Sequence, residues 1–260
     1  MSNNNLKYPE DFIGKILEGD CLEILPQIPD NSIDLIVTDP PYFISQEGRK
    51  MKRINKDEYI SSDFGKWDRC WKDDEDYQRW VEVWFKQCCR ILKDKAWIYV
   101  FFDKLKIGLL QTLGSQYGIK TKTHFLWIKT NPVPCIARAN FNSAIEVIWV
   151  GCKGPSKLKN LTIPFSKMNN YFITANASSY GETDHTTEKP LSLLKHLIMI
   201  NSLPDDIVLD CFSGSGSVSI AASEMDRQFI GIEKDTQYCI DSNKRLQKYT
   251  QAPKLFKETE

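Results

Sequence analysis

The chain has 260 residues and a mass of 30.1 kDa, enough for one domain with elaborations and close to the length at which single cores stop growing. Hydrophobic residues make up 42% and charged residues 26%, ordinary globular values that exclude disordered, collagen-like and low-complexity classes. Lys plus Arg and Asp plus Glu both number 34, so no global field draws in a polyanion, and any such partner must be met by a local patch.

In chain order, Lys15 to Glu18 is a short β-rich run, followed by the helix-like Cys21 to Leu25, a turn at Pro29, Asp30 and Asn31, and a second strand at Ile33 to Thr38. Asp76 to Leu92 sets Trp80, Val81, Trp84, Phe85, Cys88 and Leu92 at helical spacing, and Trp97 to Phe102 follows as an unbroken apolar run of strand length. Phe125 to Ile128 and Ala144 to Val150 read as further strands around the Pro-containing stretch Asn131 to Asn142, which cannot be regular throughout. Leu191 to Ile200 reads as an amphipathic helix, Ile207 to Asp210 as a buried strand, and Val218 to Glu224 as a helix. Phe229 to Glu233 is the last expected strand, and Thr236 to Tyr249 closes with a helix. Strands alternating with helices predict a doubly wound, mostly parallel α/β sheet with ligands at the carboxyl ends of the strands.

Two segments interrupt this pattern, Gln46 to Glu75 and Gly151 to Asp184. Loops of that length in a compact domain are uncommon unless they act. The first carries Arg49, Lys50, Lys52, Arg53 and Lys56, a run that on its own reads as a solvated loop. Apolar runs such as Ala96 to Phe102 fall far short of the about 20 residues a membrane span needs. The amino end is Asn-rich in place of an apolar signal, so a soluble, cytoplasmic protein is expected. The eight cysteines form no CxxC pair, which favours reduced, buried thiols over zinc or disulfides, and no metal is expected.

Chemistry concentrates at two places. Ile207 to Asp210 runs into Cys211, Phe212, Ser213, Gly214, Ser215, Gly216 and Ser217, a strand ending in an acid and then a glycine-containing turn that opens a helix. Gly214 and Gly216 let backbone approach a ligand, and the helix start offers free amides. An ordinary strand-to-helix turn would look similar, but Glu233 ends the next strand about 20 residues on, where ribose hydroxyls are accepted. No Lys follows the glycines, so a triphosphate P-loop is excluded, while NAD stays open as an alternative. The second place is Asp39, Pro40, Pro41, Tyr42, directly after a strand. The prolines fix φ, so the Pro40 carbonyl and the Asp39 carboxylate form a rigid acceptor pair for an NH₂ group. Tyr42 offers a ring for stacking, worth ~1–3 kcal/mol per base. A strand stopped by a Pro-Pro turn is the plainer reading of the tetrapeptide alone.

Taken together, the chain resembles the S-adenosylmethionine-dependent DNA amino-methyltransferases that modify adenine N6 or cytosine N4. Asp39 to Tyr42 resembles the family's DPPY motif, Asp210 to Gly216 its DxFxGSG motif, and Gly231 to Asp235 with Tyr238 its acidic motif. His185 to Pro190 resembles its HPTxKP segment, with Thr186 where the family usually has Pro. The DPPY motif precedes the cofactor motif, the circularly permuted order of the family's β class. Gly19 to Cys21, Trp127 to Pro134 and Asp63 to Asp68 resemble further landmarks, the last two those of restriction-modification adenine enzymes.

The resemblance implies a seven-stranded, Rossmann-like sheet in a single methyltransferase domain over residues 1–250. DNA-facing insertions would lie at about 46–75 and 151–184, with a flexible tail at 251–260. It implies S-adenosylmethionine as cofactor, held by Asp20, Cys21, Asp39, Thr187, Lys189, Pro190, Asp210, Phe212, Ser213, Gly214, Ser215, Gly216 and Glu233. Asp39, Pro40, Pro41 and Tyr42 would act on a flipped base, and Arg49, Lys50, Lys52, Arg53, Lys56 and Arg138 would contact double-stranded DNA. Asp at position 39 points to adenine N6, with cytosine N4 the alternative. A protein-glutamine or small-molecule methyltransferase, an inactive DNA-binding subunit and a dehydrogenase are the rival readings. A second copy of the chain and a cognate restriction endonuclease are candidate partners, in a prokaryotic or phage setting.

Overall fold

The structure is a computed structural model that describes residues 6–44, 50–52, 59–61, 70–132, 141–160, 164, 168–177 and 188–251. Its first unit is β1 (Lys15–Glu18), α1 (Cys21–Ile24) and β2 (Ile33–Thr38). A two-stranded antiparallel pair, β3 (Lys50–Lys52) with β4 (Tyr59–Ser61), follows, then α2 (Asp74–Ile91), β5 (Leu92–Phe102), α3 (Ile107–Gln116), β6 (Ile119–Lys129) and β7 (Ile145–Lys153). The chain continues through β8 (Tyr171–Thr174), α4 (Leu191–Asn201), β9 (Ile207–Asp210), α5 (Ser217–Glu224), β10 (Gln228–Glu233) and α6 (Thr236–Gln251).

The main sheet runs β1-β10-β9-β2-β5-β7-β6-β8. Every neighbouring pair is parallel except the two made by β7, which runs against both β5 and β6. Strand periodicity distributes the core. In β5, Ile98, Val100 and Phe102 turn to the face covered by α1, α2 and α3, while Trp97, Tyr99 and Phe101 turn to the face covered by α4, α5 and α6. All six residues of β2 are buried, as a central parallel strand requires.

The expected bounds of β1, β2 and β9 match those observed. The sheet has eight strands where seven were expected, because Tyr171–Thr174 adds a short parallel edge beside β6 within a segment that reads as irregular. Helix α2 starts two residues early, since the Asp73 carboxylate accepts the Asp76 N–H at 2.8 Å and three acids occupy its first turn. Helix α3 had no sequence signal because two glycines dilute it. Gly114 allows its backbone to press on β7, where a Cβ would come within 2.9 Å of Trp149 Cζ2. Seven cysteines are free thiols, six of them buried and Cys70 exposed; Cys135 lies outside the described residues. Among the described residues no helix is long and apolar enough to cross a membrane.

At Gly151 a Cβ would meet Trp149 Cη2 at 2.4 Å and Ile119 Cγ2 at 2.6 Å. Gly151→Ala should therefore destabilise the fold by about 1–3 kcal/mol through overpacking. Urea denaturation should give a lower midpoint with an unchanged slope.

Candidate functional site

Strands β2 and β9 are hydrogen-bonded neighbours at the point where the sheet's winding reverses, with Leu35 opposite Val208 and Ile36 opposite Leu209. An open α/β sheet gapes at such a reversal, and ligands lodge at the carboxyl ends there. Asp39 follows the last residue of β2, and Asp210 ends β9. The Thr38 hydroxyl donates to Asp210 Oδ1 at 2.9 Å and accepts the Cys211 N–H at 3.1 Å. Two motifs far apart in sequence are thus joined side by side.

On the glycine-turn side, Asp210 Oδ1 also accepts the Phe212 N–H at 3.1 Å, yet burial dominates and pushes its carboxyl up to about 7. Gly214 and Gly216 take φ of +50° and +75°, the left-handed region that glycine enters freely. The Gly214 N–H donates to Glu233 Oε2 at 2.7 Å and the Asp235 N–H to Oε1 at 2.8 Å, so the acid of β10 and the turn are locked together. Burial nevertheless raises the Glu233 carboxyl above its ordinary range. The buried Ser213 hydroxyl has no hydrogen-bond partner among the described residues. Ser215 shares a hydrogen bond with Ser217 at 2.9 Å, and the Phe212 ring packs on Trp80 and Trp84. Asp20 caps α1 through the Leu22 N–H at 2.9 Å and meets Lys234 Nζ at 2.8 Å. Burial would raise the Asp20 carboxyl, but those two donors hold it below its usual value. Cys21 is buried in the core under α1.

On the acceptor side, Asp39 keeps 27% of its side chain exposed, enough to be reached from the cleft. Its Oδ1 accepts the Tyr42 hydroxyl at 2.5 Å and its Oδ2 pairs with Lys189 Nζ. Burial raises the Asp39 carboxyl despite that ammonium. The Tyr42 ring meets Phe102 edge-on. Tyr77 donates its hydroxyl to the Pro41 carbonyl at 2.8 Å, which fixes the proline pair. Phe43 sits at φ +53°, strained for a residue with a Cβ. Lys106 Nζ holds that kink, reaching the Tyr42 and Phe43 carbonyls at 3.3 and 3.2 Å and lying over the Phe43 and Tyr77 rings.

Three participants escaped the sequence reading. Glu146 on β7 lies 3.5 Å from Lys189 and 2.6 Å from Lys129. Lys106 carried no local pattern. Arg245 of α6 pairs with Glu188 in the interior and donates to the Ser215 carbonyl at 3.1 Å and the Ser217 hydroxyl at 3.0 Å, tying the glycine turn to the residue before Lys189 and Pro190. No local spacing signals these, because each partner comes from a distant element. Thr187, Arg49, Arg53, Lys56 and Arg138 lie outside the described residues, as do His185, Thr186 and Asp63 to Asp68. Of Lys50 and Lys52 only the β3 backbone is described.

The sequence model of a DNA methylase family, the N6/N4 type, matches residues 33–244. The type II methyltransferase M.HinfI of Haemophilus influenzae is 34% identical over 257 residues, covering 94% of this chain and 71% of that protein. M2.MboI of Moraxella bovis is 30% identical over 253 residues, covering 90% and 88%. Among solved structures, the M1.HpyAVI–SAM complex aligns with a TM-score of 0.69 at 23% identity, over 89% of this chain and 98% of that one. The cytosine-N4-specific PvuII DNA methyltransferase aligns at 0.70 and 20% identity, over 90% and 89%. These two likenesses speak to the fold.

The raised Asp210 carboxyl has a consequence for stability. An acid whose pKa is higher in the folded state binds more protons when native, so its contribution falls as pH rises from 3.8 to about 7. Asp210→Asn removes that dependence. Denaturation of the cofactor-free protein should show wild-type stability declining relative to the variant across that window, and parallel curves would refute the assignment.

Proposed function

The chain belongs to the N6/N4 DNA methylase family, and from that premise we propose that it transfers a methyl group from S-adenosylmethionine to adenine N6 at a specific site in duplex DNA. The observation that carries the reading is the junction at Thr38, where the Asp39 acceptor motif and the Asp210 glycine turn leave adjacent strands. Asp rather than Ser at position 39 favours adenine, as the resemblance implies, with cytosine N4 as the second reading.

The residues present suit the cofactor. Left-handed Gly214 admits close backbone approach, Glu233 retains acceptor capacity for ribose hydroxyls, and the buried Ser213 hydroxyl offers an unspent polar atom, while Gly216 packs against Ser242 and Ile16, where a Cβ would come within 3.0 and 3.1 Å of them. Asp20 and Cys21 serve the adenine end, Asp210, Phe212, Ser215 and Gly216 the turn, and Lys189, Pro190 and Thr187 the methionine end. When bound, S-adenosylmethionine supplies an electrophilic methyl carbon on a positively charged sulfur that departs as a neutral thioether.

The target base is out of reach inside a duplex and is flipped, at a cost of a few kcal/mol. Stacking on Tyr42 offsets part of that. The exocyclic amine is a weak nucleophile because its lone pair is delocalised into the ring. Asp39 and the Pro40 carbonyl accept its two N–H bonds and turn the nitrogen toward tetrahedral geometry, so that the lone pair points along the line of attack. Positioning and fixed dipoles do most of the work, and no strong base is needed beforehand. One proton leaves the nitrogen after transfer, through Asp39. Duplex DNA lies against the insertions at 46–75 and 151–184, with Arg49, Lys50, Lys52, Arg53, Lys56 and Arg138 contacting phosphates and base edges. A single domain over 1–250, a second copy as partner, a cognate endonuclease and a cytoplasmic setting complete the reading.

Tritiated cofactor and unmethylated genomic DNA test it: digestion to nucleosides should place the label in N6-methyladenine. Label in N4-methylcytosine would overturn the base choice, and no label would overturn the activity. Asp39→Ala should abolish transfer while changing the cofactor Kd far less, and equal loss of both would make Asp39 a structural or cofactor-holding residue and not the acceptor. Gly214→Val should weaken cofactor binding at least about tenfold, because a branched residue is strained at a positive φ and blocks approach.

A further inference from the structure

Strand β7 is the one strand of the main sheet that runs against its neighbours, so its first residues emerge at the edge where the parallel strands end. Glu146, its second residue, is carried in this way to the catalytic edge, opposite Trp127 of β6. A row of alternating charges results. Lys129 Nζ lies 2.6 Å from Glu146 Oε1, Glu146 Oε2 lies 3.5 Å from Lys189 Nζ, and Lys189 pairs with Asp39 Oδ2. The row is poorly hydrated, with Lys189 only 10% and Glu146 23% exposed, and the Lys189 ammonium rests over the Phe101 ring at 5.1 Å.

Both oxygens of Asp39 already carry a partner, one the Tyr42 hydroxyl and the other Lys189. A carboxylate can accept further donors, but a target amine that donates to Asp39 competes with these two for its oxygens. Lys189 cannot simply withdraw, because a buried ammonium deprived of its counter-charge is heavily penalised. Glu146 already stands beside it, anionic and facing it.

We propose that Glu146 is a positioning residue for methyl transfer, receiving the Lys189 ammonium when the target amine takes its place on Asp39. This rests on the function proposed above. Lys189 exchanges one carboxylate for the other over a short distance and stays paired throughout, and Lys129 holds Glu146 in place from the far side. The electrostatics agree. Burial would raise the Glu146 carboxyl, but Lys189 and Lys129 hold it below its ordinary range, so it is ionised when needed. The charged and titratable groups around Asp39 are Lys189, Tyr42, Glu146 and Asp210, and of these Lys189 and the Tyr42 hydroxyl stabilise its anion while Glu146 opposes it. Those around Glu146 are Lys129, Lys189, Asp39 and Tyr42.

The test uses the full chain with Glu146→Gln and Lys129→Met. Tritium transfer to DNA is measured as kcat and as kcat/KM against pH, alongside cofactor Kd and a carboxyl NMR titration of Asp39 in the cofactor-free protein. Glu146→Gln leaves Lys189 committed to Asp39. Its kcat should fall at least about tenfold while cofactor Kd stays within about twofold. The Asp39 titration and the acid limb of kcat/KM should both move to lower pH. Lys129→Met removes a cation and frees Glu146 to draw Lys189 away, so both should move to higher pH. Unchanged kcat and titration in Glu146→Gln overturns the proposal, as does loss of activity in step with cofactor binding and without a displaced titration. Where Glu146→Gln does not fold, the Lys129→Met titration decides alone: an upward move supports the proposal and an unmoved one overturns it. Wild-type protein that transfers no label overturns the methyl-transfer reading and this inference with it, whereas active wild type with unmoved variants overturns the inference alone.

Discussion

Everything at the catalytic edge depends on the Thr38 hydroxyl, which joins the ends of two adjacent parallel strands. It donates to Asp210 and accepts from Cys211 N–H, and so fixes where both carboxylate-bearing turns begin. Two acids leaving neighbouring strands would otherwise splay apart, since each repels the other and each loses solvation on burial. The bridge and the Phe212 N–H hold Asp210, and the Lys189 ammonium holds Asp39, at the ends of adjacent strands. The points from which the two turns leave the sheet are therefore set by strand spacing, a rigid quantity of about 4.8 Å, rather than by loops.

That rigidity is bought by the two cores. Helix α2 covers one face with Tyr77, Val81, Trp84, Phe85 and Cys88, all buried, and α4 covers the other with Leu193, Leu194, Leu197 and Ile198. The same elements supply the site's supports. Tyr77 belongs to the core of α2 and also holds the Pro41 carbonyl, and Glu188 just before α4 anchors Arg245. Losing either would be felt as instability and as misplacement together, because packing and positioning share the same side chains.

The sequence makes legible whatever is encoded by neighbours along the chain. Asp39 to Tyr42, Asp210 to Gly216 and Glu233 are local patterns that each follow a strand, and the bounds of β1, β2 and β9 follow from short apolar runs with sharp ends. What escaped is encoded across the sheet. Helix α3 carries Gly108 and Gly114, which weaken its helical signal, and only its contacts with Trp149 and the Ile119 carbonyl explain the second glycine. Strand β8 spans four residues with alternating exposure and exists because β6 offers it an edge. Glu146 sits in an ordinary strand sequence, and its importance follows from the antiparallel direction of β7, which apolar periodicity does not report.

The two halves of the cleft differ in kind. The glycine-turn half is built chiefly from backbone: Gly214 N–H on Glu233, Ser213 N–H on the Ile232 carbonyl, Arg245 on the Ser215 carbonyl. Such a half changes little when a ligand arrives, because main-chain groups held by sheet and helix have few alternatives. The Asp39 half is built from side-chain charges, Asp39, Lys189 and Glu146, that stand close enough to exchange partners. An enzyme that meets its cofactor as a free small molecule but must extract its substrate from a duplex gains from this division. On the function proposed above, the preformed half would take the cofactor and the charged half would exchange its partners as the target amine arrives.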